Sequence, residues 1–144
     1  MQVVMKKTKF YIAKDAEKLR TDIEWLSDVN TLLKTKKHSE TLYIYDYFRY
    51  DTDIYIITEV CLCDLQKAID DRAKAGLYFK EEEVRKALAQ ILQAVLLLHS
   101  LSIIHSDLKP SNIFVRKAEP LELCLADFGA SIDLTIGLEE RGNL

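Results

Sequence analysis

The sequence predicts an α+β protein whose first part is rich in strands and whose second part is rich in helices. The stretch TLYIYDYFRYDTDIYIITEV (41–60) alternates Tyr and Ile with polar residues, as half-buried strands do. The stretch ALAQILQAVLLLHS (87–100) instead repeats apolar residues at helical spacing. Because the period changes after residue 60, we expect two parts, 1–60 and 61–144.

Bulk composition limits the classes of partner. The 144 residues have the length of one ordinary domain, with 49% apolar and 30% charged residues. The formal net charge of -3 gives no basic surplus that would attract nucleic acid or anionic lipid. We therefore expect neither a nucleic acid nor a membrane as partner.

Cysteine usage predicts the redox environment. Cys61, Cys63 and Cys124 are an odd number, and the chain shows no signal-peptide pattern. We therefore expect reduced thiols and an intracellular protein, in the cytoplasm with the nucleus as an open alternative. Cys61 and Cys63 could indicate a metal, but no second Cys or His pair stands at ligand spacing, so we do not expect zinc.

The elements of the first part follow from their patterns. MQVVMKK (1–7) is a short β-branched run that ends in lysines, which predicts a strand. Residues 13–33 carry apolar residues at helical spacing with charges on the opposite side, which predicts an amphipathic helix. Its apolar face comprises Ile23, Leu26, Val29 and Leu32. RYDTD (49–53) divides 41–60 into two strands of a hairpin.

Two helices open the second part. DLQKAIDDRAKAG (64–76) reads as a short helix that ends at Gly76. KEEEVRKALAQILQAVLLLHS (80–100) has acids in its first turn, where they complement the helix dipole. The apolar residues that form one face of this helix are Val84, Leu88, Ile91, Val95 and Leu98. Polar interruptions at Gln90, Gln93 and His99 favour a buried helix over a membrane span.

A hairpin and a polar motif follow this helix. NIFV (112–115) and LELCLADFG (121–129) are apolar runs around a polar turn, RKAEP (116–120). HSDLKPSN (105–112) precedes the hairpin, and DFG begins fifteen residues after Asn112. In order and spacing, these motifs resemble the catalytic core of eukaryotic protein kinases.

The resemblance implies a role for each polar residue of the motifs. Phosphoryl transfer from ATP needs oxygen ligands for Mg²⁺, a carboxylate beside the attacking hydroxyl and cations near the phosphates. By resemblance, Asp107 accepts or orients the proton of the substrate hydroxyl, and Lys109 supports the transferred phosphate. Asn112 and Asp127 would hold Mg²⁺. Lys109 at this position resembles serine/threonine kinases, so the implied partners are ATP and a protein with Ser or Thr acceptors.

The first strand and helix resemble the part of a kinase that holds the ATP phosphates. VVMK is similar to the strand with the ATP-binding lysine, which makes Lys6 the candidate phosphate contact and Val4 an adenine-facing residue. The family pairs this lysine with a glutamate on the next helix, where this chain has Asp22. The shorter side chain of Asp22 leaves that ion pair open.

The resemblance also implies an adenine and ribose site. Thr58 corresponds to the gatekeeper, and the backbone of Glu59 and Cys61 would pair with adenine. Asp64 lies near the ribose position, and Phe114 would lie under the adenine ring.

Other matched positions are structural. His105 and Phe128 correspond to members of an apolar column, with Leu26 and Ile44 at its upper end. Ser106 replaces the arginine that many kinases pair with a phosphorylated activation loop, so we expect any parent protein not to rely on that contact.

The matched motifs imply an incomplete two-lobed kinase fold, with a partial N-lobe at 1–60 and a partial C-lobe at 61–144. No glycine precedes Gly76, and the chain ends soon after DFG, so we expect a kinase domain truncated at both ends and marginal as an isolated chain. We expect the long helix to expose apolar surface.

Three functions stay open on the sequence. The first is a partial serine/threonine kinase, with a faint similarity to the NimA-related group. The second is a pseudokinase or truncated remnant that acts as a nucleotide- or protein-binding scaffold. The third is an unrelated mixed helix and strand interaction domain.

Overall fold

The computed structural model describes residues 2–9, 40–51 and 53–134. It divides into two compact units, Met1–Val60 and Cys61–Leu144. This division coincides with the predicted boundary after residue 60. The predicted helix at 13–33 lies outside the described residues.

The first unit contains an antiparallel sheet of three strands. These are β1 (Val4–Lys9), β2 (Ile44–Tyr50) and β3 (Asp53–Thr58), in the order β1-β3-β2. The predicted hairpin within 41–60 is therefore confirmed, and the first strand begins three residues later than predicted. Asp51 allows the tight turn between β2 and β3 because its φ of 56° lies in the left-handed region, which Asp tolerates.

The second unit opens with the short strand β4 (Cys63–Asp64) and helix α1 (Leu65–Lys74). Asp64 is the N-cap of α1, and its carboxylate accepts a hydrogen bond from the backbone N–H of Lys67 at 2.8 Å. The helix stops at Gly76, as predicted, where a φ of +70° favours glycine. The N–H of Leu77 then donates to the Arg72 carbonyl at 2.8 Å.

Helix α2 (Glu81–Ser100) begins as its acidic first turn predicts. The Glu83 carboxylate accepts the Lys80 N–H at 2.8 Å, and it also pairs with Arg72 of α1 at 3.0 Å. These two bonds, the Lys80 bond first, lower the pKa of Glu83. The N-terminal turn of α2 is thus capped and tied to α1.

Helix α2 exposes apolar surface in its N-terminal half, as expected for the long helix. Leu88 is 55% exposed and Val84 is exposed, whereas Ala94 and Leu98 are fully buried. Leu96, two residues before Leu98 and therefore on the opposite side of the helix, is exposed as well. α2 has apolar residues on several sides, and the elements that pack against it decide which side is covered. None of the helices in the described part of the chain is long and apolar enough to cross a membrane.

A second antiparallel sheet packs against α2. Its strands are β4, β6 (Ile113–Lys117) and β7 (Glu122–Leu125), in the order β4-β6-β7. The predicted hairpin of 112–129 is confirmed by β6 and β7, whereas the pairing of β4 with β6 was not predicted. The core side chains of this sheet are Ile113, Val115, Leu123, Cys124 and Leu125.

A third pairing joins two very short strands. β5 (Ile103–Ile104) pairs with β8 (Ile132–Asp133), and the Leu134 N–H donates to the Ser102 carbonyl at 2.9 Å. Neither strand was predicted. One loop leads from β5 to β6, and another leads from β7 to β8. Because β5 pairs with β8 and β6 pairs with β7, these two loops lie side by side.

Candidate active site

The connection from β5 to β6 gathers the polar residues of HSDLKPSN around one carboxylate. Lys109 Nζ lies 2.7 Å from Asp107 Oδ2. Asn112 Nδ2 donates to the same oxygen and to the Asp107 carbonyl, each at 2.8 Å. A 3₁₀ turn, Pro110–Asn112, lets the chain fold back so that Asn112 reaches Asp107.

These contacts stabilise the ionised form of the Asp107 carboxyl group. The hydrogen bond from Lys109, and after it the bond from Asn112, lowers the pKa of the Asp107 carboxyl below its usual range. Asp107 is therefore ionised at neutral pH, with its side chain half-exposed. An ionised, accessible carboxylate can accept a proton or a hydrogen bond from a hydroxyl group.

His105 joins the backbone of Asp107 to the segment between β7 and β8. The imidazole is buried, with Nε2 2.9 Å from the Ala126 carbonyl, while Nδ1 accepts the Asp107 N–H at 3.3 Å. Both bonds fit the neutral tautomer that carries its proton on Nε2. The ring meets Phe128 edge-on, with centroids 5.5 Å apart. The contact of His105 with Phe128 agrees with the predicted column; Leu26 lies outside the described residues.

Asp127 directly follows Ala126, whose backbone bonds both His105 and Asn112. Ala126 donates its N–H to the Asn112 carbonyl at 2.9 Å and accepts from His105, so the backbone just before Asp127 is held on both sides. Asp127 itself is exposed and has a left-handed backbone, with φ 62° and ψ 73°. Ser106, which precedes Asp107, has a φ of 64°. Left-handed non-glycine residues are uncommon, and here they stand at or beside two predicted site residues.

In the first unit, three predicted nucleotide-site residues share one face of the sheet. Val4 pairs with Thr58, and Lys6 pairs with Ile56, so alternation along β1 and β3 directs Val4, Lys6 and Thr58 to the same side. Glu59 donates its N–H to the Tyr43 carbonyl at 3.0 Å. The carbonyl of Glu59 accepts a hydrogen bond from the Thr58 hydroxyl at 3.2 Å, and the pairing of the Glu59 backbone with adenine stays a prediction. Asp22 lies outside the described residues.

In the second unit, Asp64 and Phe114 pair across β4 and β6 and share a face of that sheet. Asp64 also caps α1, a structural function that the sequence reading had not assigned to it. The Cys61 thiol lies 3.9 Å from the Cys124 thiol. The roles of Cys61, Asp64 and Phe114 at a nucleotide stay predictions.

A family model described as protein kinase domain matches residues 1–140. The chain belongs to the protein kinase family. This confirms the family recognised from its motifs and the α+β kinase fold class.

Curated relatives of this kinase chain are serine/threonine kinases. Serine/threonine-protein kinase fused of Drosophila melanogaster is 33% identical over 101 residues, which are 70% of this chain and 12% of that protein. Cyclin-dependent kinase 1 of Encephalitozoon cuniculi is 38% identical over 98 residues, 68% of this chain and 32% of that protein. Serine/threonine-protein kinase PLK4 of Nematostella vectensis is 36% identical over 105 residues, 73% of this chain and 10% of that protein. The chain thus spans at most about a third of these relatives.

The donor atoms of the kinase loop fit Mg²⁺. Because the Asn112 nitrogen carries the bonds to Asp107, its amide oxygen is the atom that could ligate, and Asp127 offers an exposed carboxylate. Mg²⁺ binds such oxygens while keeping waters and substrate phosphates as its other ligands. No group of three or more His, Cys, Asp or Glu side chains in the described ranges could hold a metal by itself.

Sequence reasoning missed one residue that holds this site in place. Gln90 of α2 accepts the Leu123 N–H at 2.8 Å and donates to the Leu121 carbonyl at 3.0 Å. Its amide therefore holds the outer edge of β7, the strand that leads to Asp127. A glutamine within an apolar helix indicates that its amide has a polar partner, but the sequence does not show which one.

Proposed function

We propose that the chain is part of a serine/threonine protein kinase domain that transfers the γ-phosphate of ATP to a protein hydroxyl with Mg²⁺. The observation that carries this proposal is the Asp107 carboxylate, held by Lys109 and Asn112 at the spacing that the kinase motif requires. The family and the serine/threonine kinase relatives support the reaction class. Substrates of the whole protein belong to this proposal.

Asp107 is the group that receives the attacking hydroxyl. Its lowered pKa keeps it ionised, so it can orient the hydroxyl by accepting a hydrogen bond and take its proton as the phosphate is transferred. His105 holds the Asp107 backbone from the buried side. The carboxylate is thereby preorganised before substrate binds.

Lys109, Asn112 and Asp127 act on the phosphates. Lys109 is half-exposed beside Asp107, so its ammonium can turn toward a phosphate oxygen while staying near the carboxylate. Asn112 and Asp127 would hold Mg²⁺, which offsets charge on the phosphates when it is bound. In the first unit, Lys6 would contact the α- and β-phosphates.

Two substitutions test the roles separately. In Asp107→Asn, transfer of radiolabelled γ-phosphate to a Ser/Thr-rich acceptor protein should fall by at least about 100-fold, because the base is lost. ATP binding measured by calorimetry should change little. In Asp127→Asn, the Mg²⁺-dependent part of ATP affinity should be lost.

The matched control is Asp70→Asn, an exposed carboxylate on α1 that contacts Gln66. It should leave binding and transfer unchanged. Transfer that survives in Asp107→Asn, or ATP affinity that is equal with and without Mg²⁺ in the unsubstituted chain, would contradict the proposal.

A nucleotide- or protein-binding scaffold without transfer is the second candidate. It is favoured by Asp22, where the family has a glutamate. It is also favoured by Ser106, which replaces the arginine that many kinases pair with a phosphorylated activation loop; the Ser106 hydroxyl instead lies 3.5 Å from the Ile104 carbonyl. ATP binding by the unsubstituted chain without any phosphate transfer would support this candidate over the first.

A further inference from the structure

Two cysteines far apart in sequence meet in the second unit. The Sγ atoms of Cys61 and Cys124 are 3.9 Å apart across 63 sequence positions. Cys124 lies on β7 and is only 1% exposed, whereas Cys61 precedes β4 and is partly exposed. Cys61 is thus the more exposed residue of the pair, and Cys124 is buried next to it.

The backbone holds this pair in register. Leu62 donates its N–H to the Val115 carbonyl at 2.8 Å, which fixes the residue after Cys61 to β6. Cys124 is fixed to the other side of β6 by its pairing with Phe114. Residue 61 lies outside any strand, and forming a disulfide of roughly 2.05 Å requires this segment to move so that the two sulfurs approach each other.

We propose that Cys61 and Cys124 are an oxidisable thiol pair, a modification site that forms a reversible intramolecular disulfide with a hydroperoxide as oxidant. Both residues belong to the second unit, so the inference needs no nucleotide and goes beyond the kinase reaction. The bond would tie the segment before α1 to the strand that leads to Asp127. All three cysteines are thiols in the structure, the reduced form of the site.

The chemistry balances in two steps. The Cys61 thiolate attacks the terminal oxygen of the hydroperoxide, so an S–O bond forms, the O–O bond breaks and the alkoxide leaves as an alcohol after protonation. The Cys124 thiol then attacks the Cys61 sulfur, so the S–S bond forms, the S–O bond breaks, and the Cys124 proton joins the leaving hydroxide as water. Two thiols lose two electrons and two protons, and the hydroperoxide is reduced. A small thiol reductant reverses the change.

Cys63 is a matched control two residues away. It pairs with Val115, which pairs with Leu123, so Cys63 belongs to the row next to Cys124 and alternation directs the two side chains to opposite faces. Partial burial, followed by the Asp64 carboxylate, also raises the pKa of the Cys63 thiol. Cys63 is therefore the worse placed of the two partly exposed cysteines.

In the test, the 144-residue chain is oxidised with hydrogen peroxide and its remaining thiols are alkylated. The chain is then digested, without reduction, by trypsin, which cleaves after Lys and Arg. We expect mass spectrometry to detect peptide 50–67 joined to peptide 118–141. Both Cys61 and Cys63 lie in the first peptide, so variants assign the bond: Cys63→Ser should keep the cross-link, and Cys61→Ser should lose it. The bridge closes a long loop, so the melting temperature should rise by about 5 °C or more and return on reduction.

Three results would overturn the proposal. They are a cross-link that survives in Cys61→Ser, a disulfide that joins two copies of the chain, and oxidised Cys61, trapped with dimedone, without any cross-link to Cys124. Cys124→Ala gives a second test from the buried side, with its fold checked by circular dichroism. In that variant, oxidised Cys61 should accumulate and react with dimedone because its partner is gone.

Discussion

The hairpin of β2 and β3 in the first unit and the hairpin of β6 and β7 in the second are alike in topology, but they differ in burial. Tyr50, at the end of β2, is 71% exposed, whereas Leu125, at the end of β7, is 1% exposed. Both hairpins consist of short antiparallel strands joined by a tight connection. Strand pairing alone therefore does not account for the difference.

Side-chain packing accounts for it. α2 packs against β7, and Gln90 satisfies the backbone groups at the outer edge of that strand. In the described part of the first unit, Phe48 and Tyr55 instead stack on each other, with ring centroids 5.1 Å apart, and Phe48 stays exposed. The loops with Asp107 and Asp127 flank the buried hairpin, and their geometry is held by close-packed neighbours.

The largest expected difference between the hairpins is the effect of truncating one side chain in each. Leu125→Ala should lower the free energy of unfolding by about 2–5 kcal/mol, because it leaves a cavity in the core. Phe48→Ala should cost about 1 kcal/mol, the scale of one aromatic pair. Urea unfolding followed by circular dichroism measures both. Equal losses would show that the two hairpins are equally buried in solution.

A smaller effect should come from the edge of β7. Gln90→Ala leaves the Leu123 N–H and the Leu121 carbonyl without the amide, which should cost about 1–3 kcal/mol. Gln93→Ala, an exposed glutamine on the same helix, should change stability by less than about 0.5 kcal/mol. Hydrogen exchange at the Leu123 amide should quicken only in the first variant. Unchanged exchange there would mean that α2 does not hold this edge.

The smallest effect concerns the charge pair next to the buried hairpin. Lys109→Met should raise the pKa of Asp107 toward its ordinary value, because Lys109 is the main cause of its depression. Lys7→Met, which removes the Lys7–Asp53 pair of the first unit, should leave the pKa of Asp107 unchanged. Carboxyl carbon shifts in an NMR titration measure both variants.

The sign of the pH dependence follows from the same shift. Because the folded-state pKa of Asp107 lies below the ordinary value of 3.8, its contribution to stability is present above that value and is lost as pH falls through the folded-state pKa. The Lys109→Met chain should show a weaker loss in that acid range. A loss as large as in the unsubstituted chain would contradict the role of Lys109.

Local patterns predicted most described elements of the fold. The two runs within 41–60 are β2 and β3, and the helices end and begin where Gly76 and the acidic turn before Val84 indicate. These features depend on neighbours within a few residues, so periodicity and capping reveal them. The short strands β5 and β8 were missed because two residues carry no period, and their pairing depends on chain segments far apart in sequence.

At the candidate site, too, some residues were identified from the sequence and others only from the structure. The resemblance to the kinase motifs named Asp107, Lys109, Asn112 and Asp127, because the chemistry of phosphoryl transfer restricts the residue types at those positions. It did not reveal Gln90 at the edge of β7. No sequence pattern specifies which strand edge a helix side chain will reach.

The sequence by itself determined the kinase family, the order of most strands and helices and the residues of the polar loop. Only the tertiary structure decided which side of α2 is buried, exposing Leu88 and covering Leu98, and which two of the three cysteines meet. The physical reason is that hydrogen-bonded turns and periods are local. Burial and contact depend instead on segments that folding brings together from distant parts of the chain.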